Sequence, residues 1–279
     1  ITISSFYTDL HLNVKREINK LKEQNVQAII VDLRNNGGGL LPEAVYTTGL
    51  FIKKGPVVQV RDVNANQVPY DDTDESIDYK GPLVVLINRL SASSSEIMAA
   101  ALQDYGRAIV VGDTSYGKGT VQQSRPLTRF YDLDVDYGSI HYTIAKFYRI
   151  NGGSTQLNGV TPDIELPTLI DVTELGERTE PNALRWDKIY PAEYNELLDN
   201  SQFVSVLTHN YQERVKDDPV FNVIKSERQR YFEVKNSKYL TLNFAQRKAK
   251  FNEDEKRQLE NTNIRLKAMH KPPVKSVKD

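Results

Sequence analysis

The sequence has 279 residues, of which 39% are hydrophobic and 26% charged, so it holds enough apolar material for a sizeable core and its length favours two domains. A formal net charge of −1 gives no global attraction to nucleic acid or to an anionic membrane. The absence of cysteine excludes thiol catalysis, disulfide bonds and cysteine-ligated metals, and four scattered histidines argue against a multi-histidine metal site.

The first predicted elements are a helix and a strand. Apolar residues recur at helical spacing from Leu10 to Leu21, which predicts the helix. The continuous apolar run from Val26 to Leu33 is typical of a strand buried on both faces of a sheet. A glycine-rich turn, Gly37 to Gly39, then leads to a second helix with Pro42 in its first turn.

Strands and helices continue to alternate after this point. Pro82 to Ile87 and Ala108 to Val111 read as buried strands, and a helix from Ser95 to Gln103 separates them. The β-branched and aromatic content from Gly138 to Ile150 predicts a longer strand, closed by the turn Asn151-Gly152-Gly153. This alternation predicts an α/β fold.

The composition changes beyond Thr168. Glycine nearly disappears, and charged and amide residues dominate, with apolar residues at spacings of three and four. The segment from Arg247 to His270 has the pattern of a long charged helix. We therefore place a boundary between Leu166 and Val172, with one domain over residues 1–170 and a helical domain over residues 171–279.

Ser93 lies between a buried strand and a helix, in the segment Ser91 to Ile97. A nucleophile there would have its hydroxyl at the positive end of the helix, with backbone amides nearby to receive an oxyanion. The alternative is purely structural, because Ser93-x-x-Glu96 is also a capping box. On this segment alone the capping role is favoured.

Lys118 lies in the glycine-rich segment Gly112 to Gly119, directly after a strand. The segment approaches a phosphate-binding loop, but Gly119 stands where a magnesium-binding hydroxyl is required, and the residues that follow are strand-like. Three interpretations remain open: an exposed turn lysine, a phosphate-loop lysine, and a catalytic base. A serine nucleophile needs an adjacent base, and a buried lysine is eligible when burial favours its neutral form.

Other polar segments offer alternatives. His141 on a strand-like segment is the one histidine that remains a candidate base, although a structural role is favoured. The turn Asn35-Asn36-Gly37-Gly38-Gly39 could offer backbone amides to an oxyanion or be a plain strand-to-helix turn. The repeat Asp132-x-Asp134-x-Asp136 resembles the start of a calcium loop, but it lacks the required glycine and the closing glutamate, so we interpret it as one polar face of a strand.

Taken together, these segments resemble the carboxy-terminal processing peptidases, and most closely their tail-specific protease branch. The resemblance covers essentially the whole chain. It rests on four motifs in order: IIVDLRNNGGG (29–39), NRLSASSSEIMAAALQDYGRA (88–108), VGDTSYGKGTVQQ (111–123) and GVTPDIELP (159–167).

The resemblance implies a role for particular residues. The middle serine of Ser-Ala-Ser, Ser93, is the implied nucleophile, and Lys118 is the implied base, oriented by Gln122. The implied oxyanion donors are the amide of Ser94 and a glycine of the turn, for which Gly38 is favoured and Gly37 and Gly39 also fit. Ser94 departs from the usual alanine, but its backbone amide is unaffected.

The resemblance also implies a fold and partners. The fold is a serine protease core of the crotonase and Clp-protease type, followed by a mainly helical domain. The implied substrates are proteins with flexible, apolar C-terminal tails in the Gram-negative periplasm, associated with the inner membrane, and neither a cofactor nor nucleic acid is expected. A PDZ domain that captures the tail, and an adaptor protein, are further implied partners. Because no PDZ domain precedes Ile1, we expect the chain to be part of a longer protein. The alternatives are an inactive peptide-binding scaffold and a nucleotide-binding protein.

Overall fold

The computed structural model describes residues 1–129, 135–171 and 173–276. The chain divides into two compact units, of which the first comprises Ile1–Leu166 and Ile170–Val204 and the second comprises Pro167–Leu169 and Ser205–Asp279. The chain therefore passes between the units more than once, and the domain boundary expected near residue 170 stays a prediction.

The elements alternate along the first unit and become helical in the second. The strands are β1 Ile29–Asp32, β2 Gly55–Asp62, β3 Gln67–Asp72, β4 Leu83–Ile87, β5 Ile109–Gly112, β6 Thr120–Pro126, β7 Ser139–Tyr148 and β8 Ile164–Glu165. The α-helices are α1 Leu10–Glu23, α2 Leu41–Gly49, α3 Ser94–Asp104, α4 Ser201–Val215, α5 Pro219–Asn236 and α6 Phe244–Ala268. The predicted α/β fold is confirmed.

A parallel sheet with the order β1-β4-β5-β8 forms the centre of the first unit. Parallel neighbours need crossover connections, and α3 makes the crossover from β4 to β5. Because the carboxyl ends of parallel strands meet at one edge of the sheet, the glycine turn after β1 and the serine turn after β4 come together there.

The core lies between this sheet and its helices. Its fully buried side chains include Val85 and Val110 on the sheet and Met98 and Leu102 on α3. The expectation that the first strand is buried on both faces is wrong for Ile30, which is 51% exposed. Strand β1 is one of the two edge strands of this sheet, and Val84, which pairs with Ile30 on β4, is also only half-buried.

A second, antiparallel sheet has the order β3-β2-β7-β6. Strand β6 begins two residues after Lys118, and its pairing with β7 contains an irregularity between Val121 and Gln122. The predicted long strand from residue 138 to 150 corresponds to β7. Of the predicted aspartate repeat, Asp132 and Asp134 lie outside the described residues.

The second unit is helical, as expected. Helix α5 begins after Asp218, whose side chain accepts the amides of Val220 and Phe221. Helix α6 contains most of the helix that the sequence predicts from residue 247 to 270. Over the described part of the chain, no helix combines the length and the apolar character that crossing a bilayer requires.

Candidate active site

Ser93 lies at the junction of β4 and α3, in a backbone conformation that residues other than glycine rarely adopt. Its φ is 58° and its ψ is −116°. Such strained positions persist where the surrounding structure holds them, and they occur preferentially at functional sites. The side chain is half-buried. Ser93 thus combines a half-buried side chain with the N-terminal end of a buried helix, which is compatible with the nucleophile interpretation.

Glu96 connects the serine turn to the lysine loop. Its side chain is fully buried. Oε2 accepts the backbone N–H of Ser93 at 2.8 Å and that of Lys118 at 3.0 Å. Oε1 accepts the hydroxyl of Ser115 at 2.6 Å and the N–H of Gly117 at 2.7 Å. Because both amide nitrogens lie within 3.0 Å of the same oxygen, the backbones of Ser93 and Lys118 are held close together.

The capping box of the sequence analysis is thus present. However, the Glu96 carboxylate that caps Ser93 also binds the loop of the proposed base, so the capping and nucleophile interpretations are compatible. Burial raises the pKa of Glu96 from 4.5 to about 7, and the hydrogen bonds from Ser115, Gly117, Ser93 and Lys118 oppose this rise by favouring the ionised form.

Lys118 is half-buried and precedes β6. Its Nζ donates a hydrogen bond to Oε1 of Gln122 at 3.1 Å, so the structure brings the predicted base and its predicted orienting residue together. Among the described side chains, the Lys118 amine has no hydrogen bond to the Ser93 hydroxyl. A strand, not a helix, follows the loop, so the loop does not lead into a helix N-terminus as a phosphate-binding loop does.

The glycine turn lies directly against the serine turn. A Cβ built on Gly38 would stand 2.8 Å from Cβ of Ser93 and 3.0 Å from the amide nitrogen of Ser94. Ser94 is buried, and its hydroxyl donates to the carbonyl of Gly39 at 3.0 Å. The predicted oxyanion donors, the glycine turn and Ser94, are therefore neighbours.

The amides of the turn differ in where they point. The N–H of Gly38 donates to Oδ1 of Asn36 at 2.9 Å. The carbonyl of Gly38 and the amide of Leu40 both bond to Phe6, at 2.9 and 2.8 Å. Gly39 lies between Gly38 and Leu40, so its own N–H and C=O point away from Phe6. For Gly39 that is the side of Ser94, to which its carbonyl is bonded.

Asn36 holds this arrangement and was not singled out from the sequence. It is fully buried. Its Nδ2 donates to the carbonyl of Ile3 at 2.8 Å, and its own carbonyl accepts the amide of Ala92 at 3.0 Å and the hydroxyl of Ser95 at 2.9 Å. An asparagine directly before a glycine turn is the only sequence signal for this role, and its burial cannot be read from the sequence.

The remaining histidine candidate lies elsewhere. Nε2 of His141 contacts the exposed hydroxyl of Ser124 at 3.3 Å, across the β6–β7 pair. His11 bonds through Nδ1 to the buried carboxylate of Glu43 at 2.8 Å. Within the described residues there is no group of three or more histidine or carboxylate side chains that could hold a metal ion.

Comparisons with known proteins identify the family of the chain. Residues 1–166 match the sequence model of Peptidase family S41. The chain belongs to this family. Residues 170–279 match the model of the C-terminal domain of tail specific protease.

Curated relatives extend the match. The chain is 48% identical over 285 residues to the Tail-specific protease of Haemophilus influenzae. The alignment covers all of this chain and 41% of that protein. It is 39% identical over 164 residues to the Carboxy-terminal-processing protease of Bartonella bacilliformis, covering 57% of this chain and 35% of that protein. The chain thus spans well under half the length of these relatives.

Among solved structures, the photosystem II D1 C-terminal processing protease superposes with a TM-score of 0.53 at 30% identity, over 61% of this chain and 43% of that one. The structural match supports the S41 fold for the first unit. The recognition of a carboxy-terminal processing peptidase from the sequence is confirmed by these comparisons.

Proposed function

We propose that the intact protein is a serine endopeptidase of the carboxy-terminal processing type, with Ser93 as nucleophile and Lys118 as general base. The observation that carries the proposal is the Glu96 carboxylate, whose Oε2 binds the amides of both residues. Two residues distant in sequence are thereby held beside one another at the end of a helix, where an acyl-transfer site gains from the positive end of the dipole.

The reaction follows from these groups. The neutral Lys118 amine takes the proton of the Ser93 hydroxyl while the serine oxygen attacks the peptide carbonyl. The protonated amine then donates this proton to the leaving nitrogen, which leaves an acyl-enzyme. Water then attacks the ester while the same amine takes a proton from it, and the protonated amine returns that proton to the Ser93 oxygen as the acid is released. Gln122 supports this role, because its Oε1 accepts a hydrogen bond from the amine and so restricts the orientation of the amine.

The oxyanion donors are the amides of Ser94 and, in this proposal, Gly39. The bond from the Gly38 N–H to Asn36 counts against Gly38, the glycine favoured from the sequence, because that hydrogen is already donated within the turn. Gly39 was one of the two alternatives. Its N–H shares the side of the turn on which its carbonyl bonds to Ser94.

The substrates and location remain part of the proposal. They are proteins with flexible, apolar C-terminal tails in the Gram-negative periplasm, at or near the inner membrane. Tail capture is assigned to a PDZ domain elsewhere in the intact protein, assisted by an adaptor protein. The similarity to proteases named for tail-specific and C-terminal processing supports this assignment.

The test is the loss of cleavage in Ser93→Ala and in Lys118→Ala, each in the intact protein and with a substrate that ends in an apolar tail. Ser124→Ala and His141→Ala are the matched controls, because they remove the serine–histidine contact described above, which lies outside the proposed site. We expect both controls to cleave normally. Full activity in either Ser93→Ala or Lys118→Ala would refute the proposal.

A second candidate is an inactive peptide-binding scaffold. The observation that favours it is the Lys118 amine, which bonds to Gln122 and not to the Ser93 hydroxyl. A fluorophosphonate probe separates the two, because it labels an activated serine without needing a recognised tail. Labelling of the wild type that disappears in Ser93→Ala supports the peptidase, whereas an unlabelled wild type that still binds peptide supports the scaffold.

A further inference from the structure

The segment over residues 173–191, here called the strap, runs across the lysine loop. It follows β8 and contains no regular element except the single 3-10 turn Glu177–Thr179. It belongs to the first compact unit, although the match to the C-terminal domain of tail specific protease already begins at residue 170. A segment without a core of its own is held in place by the groups that it contacts.

One end of the strap is anchored at the loop that precedes Lys118. The amide of Glu177 donates to the carbonyl of Tyr116 at 3.1 Å. Arg89, which is fully buried, donates through Nε to the carbonyl of Leu175 at 2.6 Å and through Nη1 to the carbonyl of Ser115. One guanidinium thus binds both the strap and the lysine loop.

The contact at Gly176 leaves no room for a side chain. A Cβ at Gly176, whose φ is +126°, would stand 2.2 Å from Nη2 of Arg89 and 2.8 Å from the Tyr116 carbonyl. The strap therefore packs against the lysine loop backbone to backbone.

Gln156 joins the strap to the other side of Lys118. This side chain is fully buried. Its Oε1 accepts the amide of Gly119 at 2.8 Å. Its Nε2 donates to the carbonyl of Leu184 at 3.0 Å and to Oε1 of Glu177 at 3.2 Å. Since Gln156 is buried and uses both ends of its amide, any shift of the strap is passed to the peptide that follows Lys118.

The farther half of the strap is held by Trp186, whose indole N–H donates to the carbonyl of Ser154 at 2.9 Å. The hydroxyl of Ser154 in turn accepts the amide of Gln156 at 3.1 Å. The backbone that carries Gln156 is thus fixed by a residue of the strap as well.

We propose that the strap is a positioning element of the active site and that Gln156 is the positioning residue through which it acts on Lys118. The inference rests on the proposed role of Lys118 as the base. Both peptide groups that flank this lysine are held by buried side chains: its own N–H by Glu96 and the next N–H by Gln156. A base must reach the hydroxyl within hydrogen-bond distance, and a displacement of about 1 Å costs about a hundredfold in rate.

The test replaces the donor Nε2 of Gln156 by an acceptor oxygen in the intact protein. In Gln156→Glu the side chain still accepts the Gly119 amide, but its second oxygen faces the Leu184 carbonyl and the Glu177 carboxylate and repels both. We expect kcat to fall about tenfold or more while KM changes less than about threefold, since the site and not the tail recognition is disturbed.

Two further variants supply the control and the rescue. Glu177→Gln alone keeps an acceptor for Gln156 and is expected to leave kcat within about twofold. In the double variant Gln156→Glu/Glu177→Gln, the new amide donates to the new carboxylate, and we expect at least about a threefold recovery of kcat. Trp186→Phe keeps an aromatic ring, although a smaller one, and removes the indole N–H donor. It is the second test if Gln156→Glu does not fold, and we expect a severalfold fall in kcat.

The outcomes separate this inference from the proposed function. If Ser93→Ala and Lys118→Ala abolish cleavage but Gln156→Glu, or Trp186→Phe in its place, cleaves like the wild type, the strap inference is overturned and the proposed function stands. A double variant no more active than Gln156→Glu would also overturn it. If Ser93→Ala or Lys118→Ala retains activity, the proposed function itself fails.

Discussion

Ser93 and Lys118 are joined through one oxygen atom, because Oε2 of the buried Glu96 accepts the backbone N–H of each, at 2.8 and 3.0 Å. The proposed nucleophile and base come from different turns, one before α3 and one before β6. A single carboxylate thereby fixes the position of the serine turn relative to the lysine loop.

Replacing Glu96 by glutamine is expected to disrupt this connection. All four groups that contact the carboxylate are donors, so an NH₂ group in place of one oxygen would face two of them. We expect kcat for cleavage to fall about a hundredfold or more, because the base is displaced from the nucleophile. Glu75→Gln, which changes an exposed carboxylate paired with Lys54, is the matched control. Wild-type kcat in Glu96→Gln would contradict the prediction.

The raised pKa of Glu96 predicts a dependence of stability on pH. Burial raises this pKa from 4.5 to about 7, so between these values the folded state binds more protons than the unfolded state. The stability due to Glu96 is therefore fully present below about pH 4.5 and is lost as the pH rises to about 7, a change on the order of a few kcal/mol.

The measurement is the free energy of unfolding of the first unit in urea at pH 5 and pH 8, for the wild type and for Glu96→Gln. Glutamine does not titrate, so the difference between the two proteins isolates the carboxyl group. We expect the wild type to have the larger relative stability at pH 5. A difference that does not change with pH would show that Glu96 does not titrate in this range.

The glycine turn provides a matched pair of substitutions. A Cβ at Gly39, whose φ is +147°, would stand 2.2 Å from the Phe6 carbonyl, whereas a Cβ at Gly37 would have nothing within 4 Å. We expect Gly39→Ala to lose most of the labelling of Ser93 by a fluorophosphonate and to lower the thermal midpoint. Gly37→Ala should resemble the wild type within about 1 kcal/mol. Equal effects of the two substitutions would contradict the assigned geometry.

Asn36 and Asn35 form a second matched pair. In Asn36→Asp an oxygen would replace the Nδ2 that donates to the Ile3 carbonyl, so two acceptors would meet in a fully buried site. We expect a loss of about 1–3 kcal/mol in the free energy of unfolding, together with a fall in kcat. Asn35 is exposed, and its Oδ1 accepts from Asn88, a bond that aspartate retains. Asn35→Asp should therefore be nearly neutral by urea unfolding and by activity, and a comparable loss in both variants would count against the role of Asn36.

Much of the first unit was predictable from local patterns. Helices α1, α2 and α3 follow the apolar spacing and the proline that the sequence displays, and β4, β5 and β7 follow its apolar and β-branched runs. The exposure of Ile30 was not predictable, because whether the second face of a strand is covered depends on residues far away in the chain.

What the sequence by itself determined is the set of candidate site residues and their order: Ser93 before a helix, Lys118 between glycines, and Gln122 four positions later. These depend on short-range chemistry and on ordered motifs, and both are legible along the chain. The tertiary structure alone decided how they meet. Glu96 reads locally as a helix cap, and only parallel pairing, which brings the ends of separate strands to one edge, places its other hydrogen bonds on the lysine loop. The choice between Gly38 and Gly39 likewise depends on contacts with Phe6 and Asn36, since the direction of a glycine amide is set by its partners and not by its own side chain.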